Sequence, residues 1–190
     1  MTLLKSRKFC VPAAVILCIV SLLFGVHKSV AREVREIENS FYEGVYLEDE
    51  NYTQPALSEQ LSNRASAALG IITIAANYDD MKTETDALRD ARNGLLEAES
   101  IPKKAYYNDK LENAYKAVGE KLSAASLDEN EASALSDYAA TMSGAMGVIE
   151  KSAYNASVSE FVNETMRAFP LNILKGISFC DTPDYFRVEG

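Results

Sequence analysis

The strongest helical pattern in this 190-residue chain lies in residues 126–156, which read SLDENEASALSDYAATMSGAMGVIEKSAYNA. Its apolar residues recur in alternating steps of four and three, which is the spacing of a heptad repeat. That seam consists of Leu135, Ala139, Met142, Met146, Ile149, Ala153 and Ala156. Ser126 and Glu129 have the spacing of a capping box, so we expect the helix to begin there. The stretch predicts a long helix that packs against other helices, as in a coiled coil or a helical bundle.

Helical spacing also marks the residues before this stretch. An apolar stripe runs from about Ala56 to Glu99 and allows one long helix, with a weak point at residues 77–80. A further helix is predicted from Lys103 to Ala125. Because the links between these helices are short, neighbouring helices should run antiparallel.

After Ala156 the stripe continues as far as Phe169, where Pro170 should stop the helix and the Phe169 ring should plug the end of the bundle. The final segment, 171–190, is too apolar for a free tail and should dock against the helices. We therefore predict an all-α fold, with an antiparallel bundle of three to four long helices in residues 56–190.

The amino-terminal part of the chain has the composition of a membrane-entering segment. Residues 1–8 are basic, and residues 9–26 form an uninterrupted apolar run. As a helix this run would rise about 27 Å, close to the roughly 30 Å thickness of a bilayer core. We predict a transmembrane helix over residues 9–26, followed by a stalk and loop over residues 27–55.

Two fates remain open for this segment. Ser29-Val30-Ala31 offers a small-x-small signal-peptide site, so cleavage could release a soluble protein after Ala31. The apolar run is longer than most signal-peptide cores, which favours an uncleaved single-pass anchor. The basic cluster in residues 1–8 favours a cytoplasmic amino terminus and an extracytoplasmic body.

The charge of the chain limits the classes of partner. The whole chain has 19 Lys and Arg and 28 Asp and Glu, a net charge of −9. Without residues 1–26, 16 cations face 28 anions, which gives −12. Such a body does not favour nucleic-acid phosphate, so no nucleic-acid partner is expected. The sequence leaves self-association into a homo-oligomer open.

The residues needed for common catalytic and metal sites are scarce. His27 is the only histidine and lies at the end of the apolar run, so we expect no Ser–His or Cys–His nucleophile pair in the soluble body. Cys180 is the only cysteine outside that run, which argues against a Cys/His zinc site. The glycines of residues 144–147 lie inside the predicted helix and lack a following Lys, unlike a phosphate loop. We predict no cofactor, no metal and no enzyme, although a site made of carboxylates alone stays open.

The carboxyl-terminal third contains a set of motifs in a fixed order: a Tyr-Asn pair, an amphipathic helix end, Phe-Pro-x-Asn and a closing Tyr-Phe. In this order and spacing the segment resembles the end of the LemA family, whereas the front half of the chain departs from that family and lacks Trp. The matching residues are Tyr154, Asn155, Val158, Phe169, Pro170, Asn172, Phe179, Tyr185 and Phe186.

The resemblance implies a bacterial membrane-anchored helical bundle with an interaction or scaffolding role, in which these motif residues are structural. The expected partners are the membrane, through residues 9–26, and an envelope or membrane protein. The alternative is a secreted helical binding module or adhesin that is released after Ala31.

Overall fold

The computed structural model describes residues 7–174, 176 and 180–187. It confirms the all-α prediction: most of the described chain is helical, with one small two-stranded sheet. The elements, in chain order, are α1 Arg7–Glu43, β1 Val45–Leu47, β2 Tyr52–Gln54, α2 Leu57–Ala75, α3 Lys82–Glu97, α4 Ile101–Ala124, α5 Glu129–Glu150, α6 Tyr154–Glu160 and α7 Leu171–Leu174.

The chain divides into two compact units. The first unit contains the described residues of 1–38 and 157–183, and the second contains those of 39–156 and 184–190. The second unit is the helical bundle, in which α2 packs against α5 and α3, and α3 packs against α4. Its core is apolar, and fully buried members include Ile71, Met81, Leu88, Leu111, Leu122 and Met142.

The apolar stripe over residues 56–99 forms two helices rather than one, because the chain breaks at the weak point around residues 77–80. Helix α2 ends at Ala75 and α3 begins at Lys82, with a 3-10 turn at Asp79–Met81 between them. Residues of α4 and α5 stabilise the break. The Tyr78 hydroxyl donates to Glu131 at 2.7 Å, and Lys121 donates to the Asp80 carbonyl at 2.8 Å.

Helix α5 begins two residues later than predicted. Asp128, not Ser126, is the N-cap, and its Oδ1 accepts from the backbone N–H of Glu131 at 2.8 Å. Glu131 in turn accepts from the Asp128 N–H at 3.3 Å. Ser126 and Glu129 have the spacing of a capping box, and so do Asp128 and Glu131, but only Asp128 and Glu131 form one.

The predicted seam of α5 holds only as far as Ile149. Met142 and Ile149 are buried, and Leu135, Ala139 and Met146 are partly buried. Helix α5 ends at Glu150, so Ala153 and Ala156 lie beyond it and Ala156 is exposed. The extension of the seam to these two residues is therefore wrong.

A short antiparallel hairpin replaces the loop predicted before residue 56. Strands β1 and β2 pair Val45 with Gln54 and Leu47 with Tyr52. Gly44 enters the hairpin with φ 93°, a conformation that favours glycine, and Asn51 forms the turn with φ 47°. Strands of three residues are too short to show the alternation of apolar and polar residues by which a strand is recognised in a sequence.

The first unit has its own apolar core, formed by Val30, Val34, Phe161 and Met166. Val26 and Leu171 pack against this core. Thr165 also donates a hydrogen bond to Glu33 at 3.4 Å. The amino-terminal part of α1 is long and apolar enough to cross a membrane, by length and composition.

Phe169 does not plug the bundle, because its side chain is 80% exposed. The regular helix ends before this residue: a π-helical turn over Phe161–Thr165, in which the Met166 N–H donates to the Phe161 carbonyl at 3.0 Å, is followed by turns up to Pro170. Phe169 therefore lies beyond the helix and outside its apolar stripe. Ile173 is exposed as well, so the predicted docking of segment 171–190 is wrong for this part of it.

Candidate functional site

Four of the nine motif residues meet in the second unit, and they fasten the carboxyl-terminal segment to the bundle. Asn155 Nδ2 donates to the Phe186 carbonyl and Asn155 Oδ1 accepts from the Phe186 N–H, both at 2.9 Å. The buried Tyr154 donates through its hydroxyl to the Asp184 carbonyl at 2.7 Å. The guanidinium of Arg187 covers the Tyr185 ring at 4.3 Å from its centroid. We call this arrangement the terminal clamp: Tyr154 and Asn155 holding residues 184–187.

An aromatic side chain from the end of α1 completes the terminal clamp. Phe41 is fully buried, and its ring lies edge-on to Tyr154 with 5.5 Å between the centroids. The same ring tilts against Phe186 at 5.6 Å. The clamp therefore joins three segments that are far apart in the sequence.

A second reciprocal amide pair fixes the backbone just before Tyr154. Gln54, the last residue of β2, donates through Nε2 to the Lys151 carbonyl at 2.9 Å. Its Oε1 accepts from the Ala153 N–H at 2.8 Å. These contacts satisfy backbone groups that the break between α5 and α6 leaves without helical partners.

The other motif residues do not join the terminal clamp. Val158 is buried in the first unit, where Phe169, Pro170 and Asn172 are exposed. Phe179 lies outside the described residues.

The sequence reasoning missed a buried arginine in the core of the bundle. Arg64 on α2 has no exposed surface, yet it pairs with Glu112 and donates to Asn108, both on α4. It also contacts the sulfur of Met146 at 3.4 Å. Burial lowers the pKa of Arg64, and the Glu112 carboxylate opposes that effect. Residues 61, 64, 65 and 68 share the inner face of α2, so the signal for this arginine was its position inside an apolar stripe.

A cavity of about 280 Å³ lies beside the arginine and reaches the terminal clamp. Asn108 and Met146, which both contact Arg64, line one part of it, and Asn155 and Phe186 line another. Asp109, Glu150 and Arg187 add charged side chains. Two contact partners of the buried arginine and two residues of the clamp thus border one space.

A surface groove lies between α3 and α4. It has a volume of about 550 Å³ and a small-residue wall that includes Ala87, Ala91 and Ala114. A second depression of about 340 Å³ adjoins it, and Tyr107 lines both. We call the two together the α3–α4 groove.

The two edges of the α3–α4 groove carry opposite charges. Asp90 and Glu97 lie on the α3 side, and Lys103 and Lys110 lie on the α4 side. Lys110 Nζ lies 4.6 Å from the centroid of the half-exposed Tyr106 ring. A hydrogen bond with the Tyr106 side chain raises the pKa of Lys110.

The first unit has one cavity that the sequence did not suggest. His27 and Cys180 both line this space of about 310 Å³, together with Arg35, Glu38 and Asp181. The absence of a Cys–His pair was predicted from the position of His27 near the membrane, and the structure nevertheless places both residues on one cavity. Within the described part of the chain, no three His, Cys, Asp or Glu side chains are placed to hold a metal ion.

Comparisons with protein-family models, curated proteins and solved structures find no significant match to this chain. The resemblance to the LemA family therefore depends on the motif residues quoted from the sequence.

Proposed function

We propose that this protein is a LemA-like, single-pass membrane protein of the bacterial cell envelope whose helical body binds another protein without catalysing a reaction. The observation that carries the proposal is the surface of α1. Most of its large apolar side chains from Val11 to Phe24 are exposed, and none of the most apolar 18-residue stretch of the candidate span is buried inside the protein.

Exposure of this kind calls for a lipid environment. Burying one large aliphatic or aromatic side chain contributes about 1.5–3 kcal/mol, so a run of them in water carries a large cost. The apolar side chains at least half exposed in α1 include Val11, Val15, Ile16, Leu17, Ile19, Val20, Leu22 and Phe24. A bilayer would cover all of them at once.

The surroundings of the candidate cleavage site favour retention of the anchor over release. Ser29, Val30 and Ala31 lie within the continuous helix α1, and Val30 is buried in the core of the first unit. Cleavage after Ala31 would separate Val30 from Val34, which belongs to the same core. An anchored chain keeps that core whole.

The α3–α4 groove is the surface that we assign to the protein partner. Its alanines allow close approach, and Tyr106 and Tyr107 supply the aromatic contact area that is common at the centres of protein interfaces. Oppositely charged edges fit an amphipathic helix that carries basic residues towards α3 and acidic residues towards α4. The partner that we propose is an envelope or membrane protein that presents such a helix.

Site-directed cross-linking in intact cells tests this proposal. A photoreactive residue at Asn113, which lines the groove, should give one defined adduct with an envelope or membrane protein. The charge reversal Lys110→Glu should abolish that adduct. Lys151→Glu is the matched control, because Lys151 is exposed and lies outside the groove. An adduct that persists in Lys110→Glu, or no adduct at all, would remove the groove from the proposal.

A further inference from the structure

The first unit leaves two large apolar side chains uncovered close to the end of the candidate membrane span. Phe169 is 80% exposed and Ile173 is 63% exposed. They flank Leu171, whose side chain packs against the core formed by Val30, Val34, Phe161 and Met166. Because Leu171 packs beside Val30 and Val34, the height of the exposed pair along the α1 axis is known approximately.

The distance of this core from the end of the predicted span follows from the rise of an α-helix, about 1.5 Å per residue. Val30 and Val34 lie four and eight residues beyond Val26, the last residue of the predicted span, which corresponds to about 6 and 12 Å. The headgroup region on each face of a bilayer is about 5–8 Å thick. Leu171, packed against these residues, lies at or just above the lipid headgroups when α1 crosses the membrane.

A second contact brings the same segment to the end of the span. Cys180, Asp181 and Thr182 line one cavity with His27, the first residue beyond the predicted span. The α1 residues on this cavity run from His27 to Glu38, so Cys180, Asp181 and Thr182 lie beside the turns of α1 that follow the predicted span, independently of Leu171.

We propose that Phe169 and Ile173 form a second, interfacial contact with the lipid bilayer, inserting their side chains between the headgroups beside the transmembrane helix. Aromatic and aliphatic side chains on a short surface segment commonly bind membranes in this way. Phe169 is available for this contact because it lies in the turns that follow the π-helical segment Phe161–Thr165, with its side chain exposed. The inference rests on the proposed membrane anchoring by residues 9–26.

The absence of tryptophan from the chain permits a direct test. Three single-tryptophan variants of the full-length protein, Phe169→Trp, Val20→Trp and Glu36→Trp, are reconstituted into phosphatidylcholine vesicles that contain brominated lipids. Phe169→Trp should emit at shorter wavelength than Glu36→Trp and should be quenched most by bromine near the carbonyl end of the acyl chain. Val20→Trp should be quenched most by bromine deep in the chain. Glu36, which is exposed on α1 about 15 Å beyond Val26, should give an unquenched control.

The variants separate the inference from the proposed function. Quenching of Val20→Trp without quenching of Phe169→Trp would overturn the interfacial contact and leave the anchor standing. A blue-shifted but unquenched Phe169→Trp would mean that protein covers the site, which also overturns the lipid contact. No quenching of Val20→Trp would overturn the anchor itself. Ile173→Trp repeats the measurement at the other exposed side chain, so that a folding defect in one variant does not decide the result.

Discussion

Asn155 makes two hydrogen bonds to the backbone of a single residue, Phe186, and each is 2.9 Å long. The amide donates to the carbonyl and accepts from the N–H, so it satisfies both polar groups of Phe186 as a neighbouring β-strand would. This relationship explains how an irregular segment with no regular secondary structure of its own is held on a helical bundle.

Replacing Asn155 tests the terminal clamp. Asn155→Ala removes both bonds and should lower the free energy of unfolding by about 1–3 kcal/mol, because partly buried backbone groups lose their partners. Urea denaturation measures the loss, and amide exchange at Phe186 should accelerate. Asn163→Ala is the matched control, since Asn163 is exposed and its side chain donates to the Ser159 hydroxyl rather than to the backbone of another segment. Equal effects of the two substitutions would contradict the clamp.

A glycine contact tests the packing of α2 against α5. A Cβ on Gly70 would lie 2.3 Å from Cζ of Tyr138, so Gly70→Ala forces the ring to move and should cost about 1–3 kcal/mol. Gly147→Ala should instead stabilise the protein by about 0.4–1 kcal/mol, because Gly147 is helical and has open space around it. Thermal unfolding of both variants measures the difference. If both alanines raise Tm, the close approach of Tyr138 to α2 is wrong.

The buried arginine gives a prediction about charge. Glu112→Ala leaves the guanidinium of Arg64 buried without its ionic partner and should cost about 3–5 kcal/mol. Asp86→Ala breaks the exposed ion pair with Arg89 and should cost about 0–1 kcal/mol. Urea denaturation of the two variants at one pH compares them. Equal losses would mean that Arg64 is hydrated.

Acid stability should depend on Glu131. The Tyr78 hydroxyl, the Asn77 amide and the Asp128 N–H all donate to this carboxylate and hold its pKa below the ordinary value of 4.5. The same contact raises the pKa of Tyr78 to about 12. Since the Glu131 pKa is lower in the folded state, its contribution to stability is complete above pH 4.5 and disappears as the pH falls through the folded-state value.

Glu131→Gln should therefore lose less stability than the wild type when the pH is lowered through this window. Urea midpoints measured from pH 6 downwards in small steps, roughly one-half unit each, would show the difference. Glu84 also has a lowered pKa, because Lys121 binds it. Since Glu84 is present in the wild type and in Glu131→Gln, its effect cancels in the comparison. Parallel pH profiles would show that the contacts of Glu131 do not favour its charged form.

The helices were predictable because their signal is local. Apolar spacing located the helix now seen over Ile101–Ala124 and most of α5, and the weak point at residues 77–80 marked the true break. The break after Glu150 was not visible, because Gln54 from a distant hairpin stabilises it. The π-turn was missed for a similar reason: its five-residue spacing serves a core shared with α1.

The candidate site was only half predictable. Tyr154, Asn155, Tyr185 and Phe186 came from a resemblance between motifs, and the structure brings them together. Their partner Phe41 carries no motif, because only the folded chain places it beside Tyr154. Arg64 was visible in principle, as a charge on the inner face of α2.

The central claim is that residues 9–26 remain attached and anchor the protein in a membrane. Its most direct test is the intact mass of the native protein, measured separately in membrane and soluble fractions. We expect a full-length species of 20.9 kDa confined to the membrane fraction after an alkaline wash. A soluble species beginning at Arg32 would contradict the claim and make residues 1–31 a signal peptide.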